Sequence, residues 1–196
     1  MFGEIKERVP LSYFVSSLTA GKSLAGKENC SNKVINSGAV TFDEFDKKSF
    51  KNLPCDYIPK LEHKINSGDI LISRMNTPLL VGAVAYVWNV EDNMYLPDRI
   101  WKANLRINAD PVFLWKSLVA PEAKDFIRSW AGGTSGSMVN ISKTKMLETP
   151  IIKAPLKLQK EFHQFVAKIN KSKLAIQKSI DELETLKKKL MQEYFG

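Results

Sequence analysis

Forty consecutive residues, Leu156–Phe195, contain neither glycine nor proline, and their apolar side chains recur in sevens. Phe162, Ile169, Ile176, Leu183 and Leu190 make the main row; Val166, Ile180 and Tyr194 stand four residues on, and Phe165 and Leu186 three residues on. Such spacing, held over roughly four heptads, puts these side chains on one stripe of an α-helix and is the pattern of helices that pack on other helices. At ~1.5 Å per residue the helix would extend ~60 Å. A domain made of the preceding residues would be about 30–35 Å across. Its own domain therefore cannot cover the whole stripe, and the tail is expected to be a coiled-coil helix that needs partner helices. A hairpin broken around Lys171-Ser-Lys173 is the alternative. Ser172 and Ser179 weaken the three-on row, which suggests a seam shared unevenly between partners.

Residues 1–152 read differently, as a mixture of short strands, short helices and turns. The fold class expected is α+β: a mixed α/β domain over 1–152 and a helical spacer or dimerisation region over 153–196. Two short strands are expected in Lys33–Phe42, around the turn Asn36-Ser-Gly38, with a polar turn or short helix after them. Gly68-Asp69 is a turn before a buried strand, Ile70–Ser73, and Leu79–Trp88 reads as a second strand. Ile100–Ile107 alternates apolar and polar residues, as a half-buried strand does. Asp110-Pro111 is a helix start, with a capping carboxylate and proline in the first turn, for a helix over Val112–Leu118. A second helix runs from Pro121 to Trp130, with Gly132-Gly133 expected to end it through positive φ. Ser142 caps a helical turn, and Thr149-Pro-Ile-Ile is an exit strand.

Hydrophobic residues are 44% of the 196, enough for a core, and no apolar run approaches the ~20 residues of a membrane span. The N-terminus lacks an apolar leader segment, and a cytoplasmic protein with no membrane partner is expected. Cys30 and Cys55 form no CxxC pair, and His63 and His163 are isolated, so free thiols and no metal site are expected. The net charge is +8. Ten Lys and five acids lie from Lys153 onward, a net of +5, which leaves +3 for residues 1–152. A basic balance favours polyanions through counterion release, although the lysines of the tail would equally solvate a helix.

Motifs for catalysis are sparse. Gly21-Lys22-Ser23 echoes the end of a phosphate loop, but position 16 is Ser where the earlier glycine is needed. GxSxG, HExxH and GxGxxG are absent. Pro97-Asp98 with Glu122-Ala-Lys124 matches a PD…(D/E)xK nuclease signature on paper. That chemistry places the second carboxylate and the lysine on a strand beside a metal. Here they open a predicted helix, where the helix dipole explains a glutamate better.

Four loops carry side chains suited to DNA. The first holds Lys22, Ser23 and Lys27. The second, after the buried strand, holds Arg74, Asn76 and Thr77; an arginine can pair bidentately with guanine and an asparagine with adenine. The third holds Arg99 and Lys102. The fourth holds Thr134, Ser135 and Ser137, whose hydroxyls and amides suit phosphates or base edges, with Lys143 and Lys145 after it. For each loop taken singly, an ordinary solvated turn explains the residues as well.

Three stretches resemble the specificity subunit of type I restriction–modification enzymes. They are Ser67-Gly-Asp-Ile-Leu-Ile-Ser-Arg74; Gly133-Thr-Ser-Gly-Ser-Met-Val-Asn-Ile-Ser-Lys143; and Thr149-Pro-Ile-Ile through Pro155-Leu, Gln159 and Phe162 into the helix ending Leu186-Lys-Lys-Lys-Leu190. The resemblance implies a target recognition domain that reads one part of a split DNA site, and a helix that acts as spacer. It implies a non-catalytic chain that binds no cofactor itself. Its implied partners are double-stranded DNA, methyltransferase subunits that use S-adenosylmethionine, and a restriction and translocase subunit that uses ATP and Mg. The family's usual chain has two recognition domains and two helices, and this one has one of each. Pairing of two such halves through their helices, at Phe162, Phe165, Val166, Ile169, Ile176, Ile180, Leu183, Leu186 and Leu190, would give a homodimer reading an interrupted inverted repeat. A stand-alone DNA-binding regulator, or an inhibitor of such a complex, is the alternative.

Overall fold

The structure is a computed structural model that describes residues 2–135 and 137–195, apart from the side chains of Thr134 and Ser135. The strands, in chain order, are β1 (Arg8–Pro10), β2 (Val15–Ala20), β3 (Lys33–Ile35), β4 (Phe50–Asn52), β5 (Ile70–Ser73), β6 (Met75–Asn76), β7 (Val84–Tyr86), β8 (Met94–Tyr95) and β9 (Ile100–Leu105). Then come helices α1 (Pro111–Leu118) and α2 (Pro121–Ser129), strands β10 (Gly132–Ser135) and β11 (Met138–Asn140), helix α3 (Lys143–Leu147), strand β12 (Pro150–Ile152) and helix α4 (Leu156–Phe195). The α+β class and the long C-terminal helix are those expected.

The central sheet has the order β2-β9-β5-β7, all antiparallel. Both of its faces are covered, so β5 is apolar at successive positions rather than alternate ones. Ile70 and Ile72 point into one core with Phe14, Trp101, Phe113 and Trp115. Leu71 points into the other with Ile35, Ile65, Leu96 and Ile100. The same double burial corrects the reading of β9, where Ile100 and Trp101 are both buried on opposite faces. Its regular part ends at Leu105, and Ile107 is 98% exposed.

Asp110 caps α1 as expected, its Oδ1 accepting from the amides of Val112 and Phe113 at 3.0 Å each. Val112, Phe113, Leu114, Trp115 and Leu118 are buried, and each fully buried large side chain stabilises by about 1.5–3 kcal/mol. Ser142 caps α3 through the Lys145 amide.

Three local expectations are corrected. The second strand expected in Lys33–Phe42 is a 3-10 helix, Ser37–Val40, because the Asn36 side chain accepts from the Gly38 amide and starts a helical turn. The strand expected over Leu79–Trp88 shrinks to β7. Gly82 turns the chain there at φ +72, and a Cβ on it would lie 2.3 Å from Ile127. Gly132-Gly133 does not cap α2 with positive φ; both residues belong to β10, and Trp130 ends the helix by donating to Ile127 O.

The long helix is continuous through Lys171-Ser-Lys173, so the hairpin alternative is excluded. Its first turns lie on the head: Gln159 and Val166 are buried, and Phe162 packs on the core against Phe2. Phe162 and Val166 are thereby removed from the set expected at a seam between helices, because the head's own core already covers them. From Lys171 to Phe195 every residue is exposed. Those 25 residues span ~37 Å of helix.

Candidate nucleic-acid interface

The four candidate loops, distant in sequence, meet at one edge of the head. The first joins the third: Gly21 N donates to Pro97 O at 2.9 Å, and the Ser23 hydroxyl donates to Asp98. A Cβ on Gly21 would lie 1.8 Å from Leu96 O, so glycine permits this close approach. The third joins the second, since Arg74 N donates to Arg99 O at 3.0 Å. The second joins the fourth, since Ile141 N donates to Arg74 O at 3.0 Å and β6 pairs with β11, Asn76 opposite Val139. Register explains the meeting: β9 lies between β2 and β5, so the loops flanking these three strands share one end of the sheet.

Arg74 sits at the middle of this row. Its guanidinium lies 5.6 Å over the ring of Trp101, and its Nε is buried without a hydrogen-bond partner. Among the described residues it has no ion pair, while ten other Lys or Arg side chains pair with carboxylates. A half-buried cation with no acceptor is unfavourable unless something outside the chain supplies one. Trp101 adds to the mismatch, since its Nε1 is also buried without a partner. The sequence reading missed Trp101 as a platform, although its place between Arg99 and Lys102 was a signal of basic and aromatic residues interleaved.

The other candidates divide by what holds them. Lys22, Lys27 and Arg99 are exposed, and no carboxylate partner is found for them among the described residues. Thr77 and Ser137 are exposed as well. Ser23 is exposed and tied to Asp98. Lys102 is turned inward: its Nζ donates to Lys64 O at 2.7 Å and lies 3.6 Å from Asp69. Burial raises the Asp69 carboxyl above its ordinary value, against the pull of the Asn66 amide and Lys102. Lys143 donates to Leu18 O at 2.7 Å, and Lys145 pairs with Glu148 at 2.8 Å and lies over Trp130. Asn76 is 8% exposed; its Oδ1 accepts from the Thr77 amide, and its Nδ2 is buried without a partner. An asparagine needs both a free donor and a free acceptor to read adenine, so Asn76 as placed does not offer that pair. Lys102 and Asn76 leave the exposed set, while Lys143 stays exposed with its ammonium bonded within the chain and Lys145 is half-buried against an exposed carboxylate. A buried carbonyl or amide near a flexible polar side chain is satisfied by it before solvent is. The side chains of Thr134 and Ser135 lie outside the described ones.

The nuclease signature is not assembled. Asp98 bonds Ser23, Glu122 pairs with Arg8, and Lys124 donates to both oxygens of Asp43 at 2.7 Å. The cysteines depart from expectation too. Cys30 and Cys55 are joined in a disulfide with Cα atoms 5.5 Å apart, because β3 and β4 pair and bring their flanking loops together. Glu28 lies beside them, 3.2 Å from the Cys55 sulfur. None of the described helices is long and apolar enough to cross a membrane.

Comparison with known proteins gives a consistent picture. No family model matches the chain. It is 26% identical over 128 residues to the type I restriction enzyme EcoEI specificity subunit of Escherichia coli, 64% of this chain and 21% of that one. Its fold is similar to the type I restriction–modification S subunit from M. genitalium, with TM-score 0.57 and 15% identity. That likeness covers 98% of this chain and 45% of the other. A solved chain of a type I restriction–modification system matches with TM-score 0.57 at 18% identity, over 95% of this chain and 44% of its own. The HsdS subunit from Thermoanaerobacter tengcongensis matches with TM-score 0.51 at 14% identity, over 88% and 39%. The chain thus spans less than half the length of the relatives it matches. It has the fold of one half of a type I restriction–modification specificity subunit, and over 128 residues its sequence resembles one.

Proposed function

We propose that this chain is a sequence-specific DNA-binding subunit, without catalytic chemistry of its own, that directs a type I restriction–modification complex to its target. One observation carries the reading: 98% of the chain superposes on 45% of a specificity subunit. In this reading residues 1–152 are the target recognition domain, and the edge around Arg74 faces DNA. Lys22, Lys27 and Arg99 supply phosphate contacts, whose counterion release gives a salt-dependent affinity. Arg74, lying over the Trp101 ring, is the side chain suited to the acceptor edge of a guanine.

The partners follow from the same reading. The exposed stripe from Ile169 to Leu190 takes another helix, and the occupant proposed is a second copy in a two-fold dimer. Two heads would then read an inverted, interrupted repeat, with helix length setting the gap. The methyltransferase subunits bring S-adenosylmethionine, and the restriction subunit brings ATP and Mg.

Co-expression with a methyltransferase subunit, followed by genome-wide mapping of methylated bases, tests this. Methylation at one interrupted motif, appearing only with this chain, is expected. Sequence-specific DNA binding without co-purification of a methyltransferase would make the chain a stand-alone regulator instead. A monomeric mass at micromolar concentration in light scattering would overturn the dimer.

A further inference from the structure

The contact between head and rod has a polar centre. Gln159, on the first turn of α4, is fully buried, and its amide is matched on every side. Oε1 accepts from Asp110 N at 2.8 Å. Nε2 donates to Ala154 O at 2.8 Å and to Asn108 O at 3.2 Å. One turn on, His163 Nδ1 lies 2.8 Å from Asp110 Oδ2. The imidazole also meets the rings of Tyr86 and Trp88 edge-on, with centroids 6.3 Å away in each case. Asp110 therefore caps α1 with one oxygen and meets α4 with the other.

Apolar packing alone would leave the rod free to slide or turn, because it has no directional requirement. A buried amide differs. A shift of one residue, ~1.5 Å and ~100° of rotation, would orphan backbone groups of Asn108, Asp110 and Ala154 together. Among the described residues the other polar head–rod link, Lys173–Glu44 at 2.7 Å, is exposed on both sides and adds little. The helix amplifies any looseness at its root. From Gln159 to Phe195 is ~54 Å, so a tilt of about 5° moves the far end by about 5 Å, more than the ~3.4 Å of one base-pair step.

We propose that Gln159, bonded to Asp110 and supported by the contact of His163 with that same residue, is a positioning residue: the pin that fixes the rod's angle to the head and thereby the length of DNA gap the protein accepts. The gap part rests on the function proposed above; the angle part does not.

The test uses the full chain with encoded spin labels at exposed Lys48 and Lys187, diluted into unlabelled chain, and pulsed dipolar spectroscopy of their separation. One narrow distance is expected. Gln159→Met should broaden it by about 5 Å, the far-end shift of a ~5° tilt, with helix content unchanged by circular dichroism. In a selection over targets of varied gap, the native chain should take one length and the variant should accept about one base pair either side, a ~3.4 Å step. His163→Leu, at a partly exposed position, should broaden the distance in the same direction, and it decides the matter if Gln159→Met does not fold. A narrow distance in every folded variant, or a broad one in the native chain, would overturn the pin. Absence of any DNA binding by the native chain would instead remove the proposed function and leave the distance result standing.

Discussion

The Arg74 guanidinium lies 5.6 Å over the Trp101 ring, and among the described residues it has no carboxylate partner. Ser73 sits opposite Ile100 in the sheet, and that register brings the arginine over the neighbouring tryptophan. The ring limits the freedom of the guanidinium, whose terminal nitrogens are further donors. A donor pair held in this way discriminates among bases better than a solvated, mobile arginine, since less freedom is lost on contact.

Arg74→Ala is expected to cost ~1–3 kcal/mol of DNA affinity and to blur one base position in a binding selection. A uniform loss across all sequences, with a smaller salt dependence, would show instead that Arg74 holds a phosphate.

Ile176 and Leu183 are 62% and 65% exposed on a rod that the head does not cover. Changing both to Glu should abolish self-association in analytical ultracentrifugation while the head's thermal transition stays in place. Survival of the oligomer would put the seam elsewhere on the helix.

Lys124 holds Asp43, a residue at φ 60 whose carbonyl also accepts from Trp115 Nε1. Lys124→Ala removes the partner of a half-buried carboxylate and should destabilise the fold by about 2–4 kcal/mol. Asp98→Ala should change stability by ~1 kcal/mol or less, since it loses an exposed contact to Ser23. A metal-dependent DNA cleavage that either substitution removes would revive the nuclease reading.

Burial raises the Asp69 carboxyl above its ordinary range, so the folded state holds that proton at a pH where the unfolded chain has released it. The folded state therefore loses stability from this group as pH rises through the interval between the two values. Asp69→Asn should flatten that part of the stability–pH curve, measured by urea denaturation at stepped pH. An unchanged slope would exclude Asp69 as its source.

The Cys30–Cys55 disulfide closes a loop with a sequence separation of 25. On the chain-entropy account, reduction should cost about 3.5 kcal/mol, read as a lower thermal midpoint with reductant. The double Cys→Ser variant should match the reduced protein. Identical midpoints with and without reductant would show that the bridge contributes nothing in solution.

Local and periodic features were legible in the sequence because neighbours along the chain determine them. The seven-residue repeat specified a helix over Leu156–Phe195, and its length alone exceeded what the head could cover. The Asp110-Pro111 pair marked the start of α1, and Ser142 marked that of α3. These depend on backbone geometry within a few residues, where side-chain type decides the outcome.

Contacts between distant segments were decided only in three dimensions. The order β2-β9-β5-β7 gathers four separate loops at one edge, which no single loop announces. Tertiary packing also chose among chemically equivalent side chains: Lys102 and Lys143 donate to the backbone carbonyls of Lys64 and Leu18, while Lys22, Lys27 and Arg99 are exposed with no carboxylate partner among the described residues. Phe162 and Ile169 occupy equivalent heptad positions, yet only Phe162 meets the head's core. The physical reason is common to all of these. Periodicity states which face of an element is apolar, but only the surface that arrives against that face determines which of its groups are satisfied within the chain and which remain for a partner.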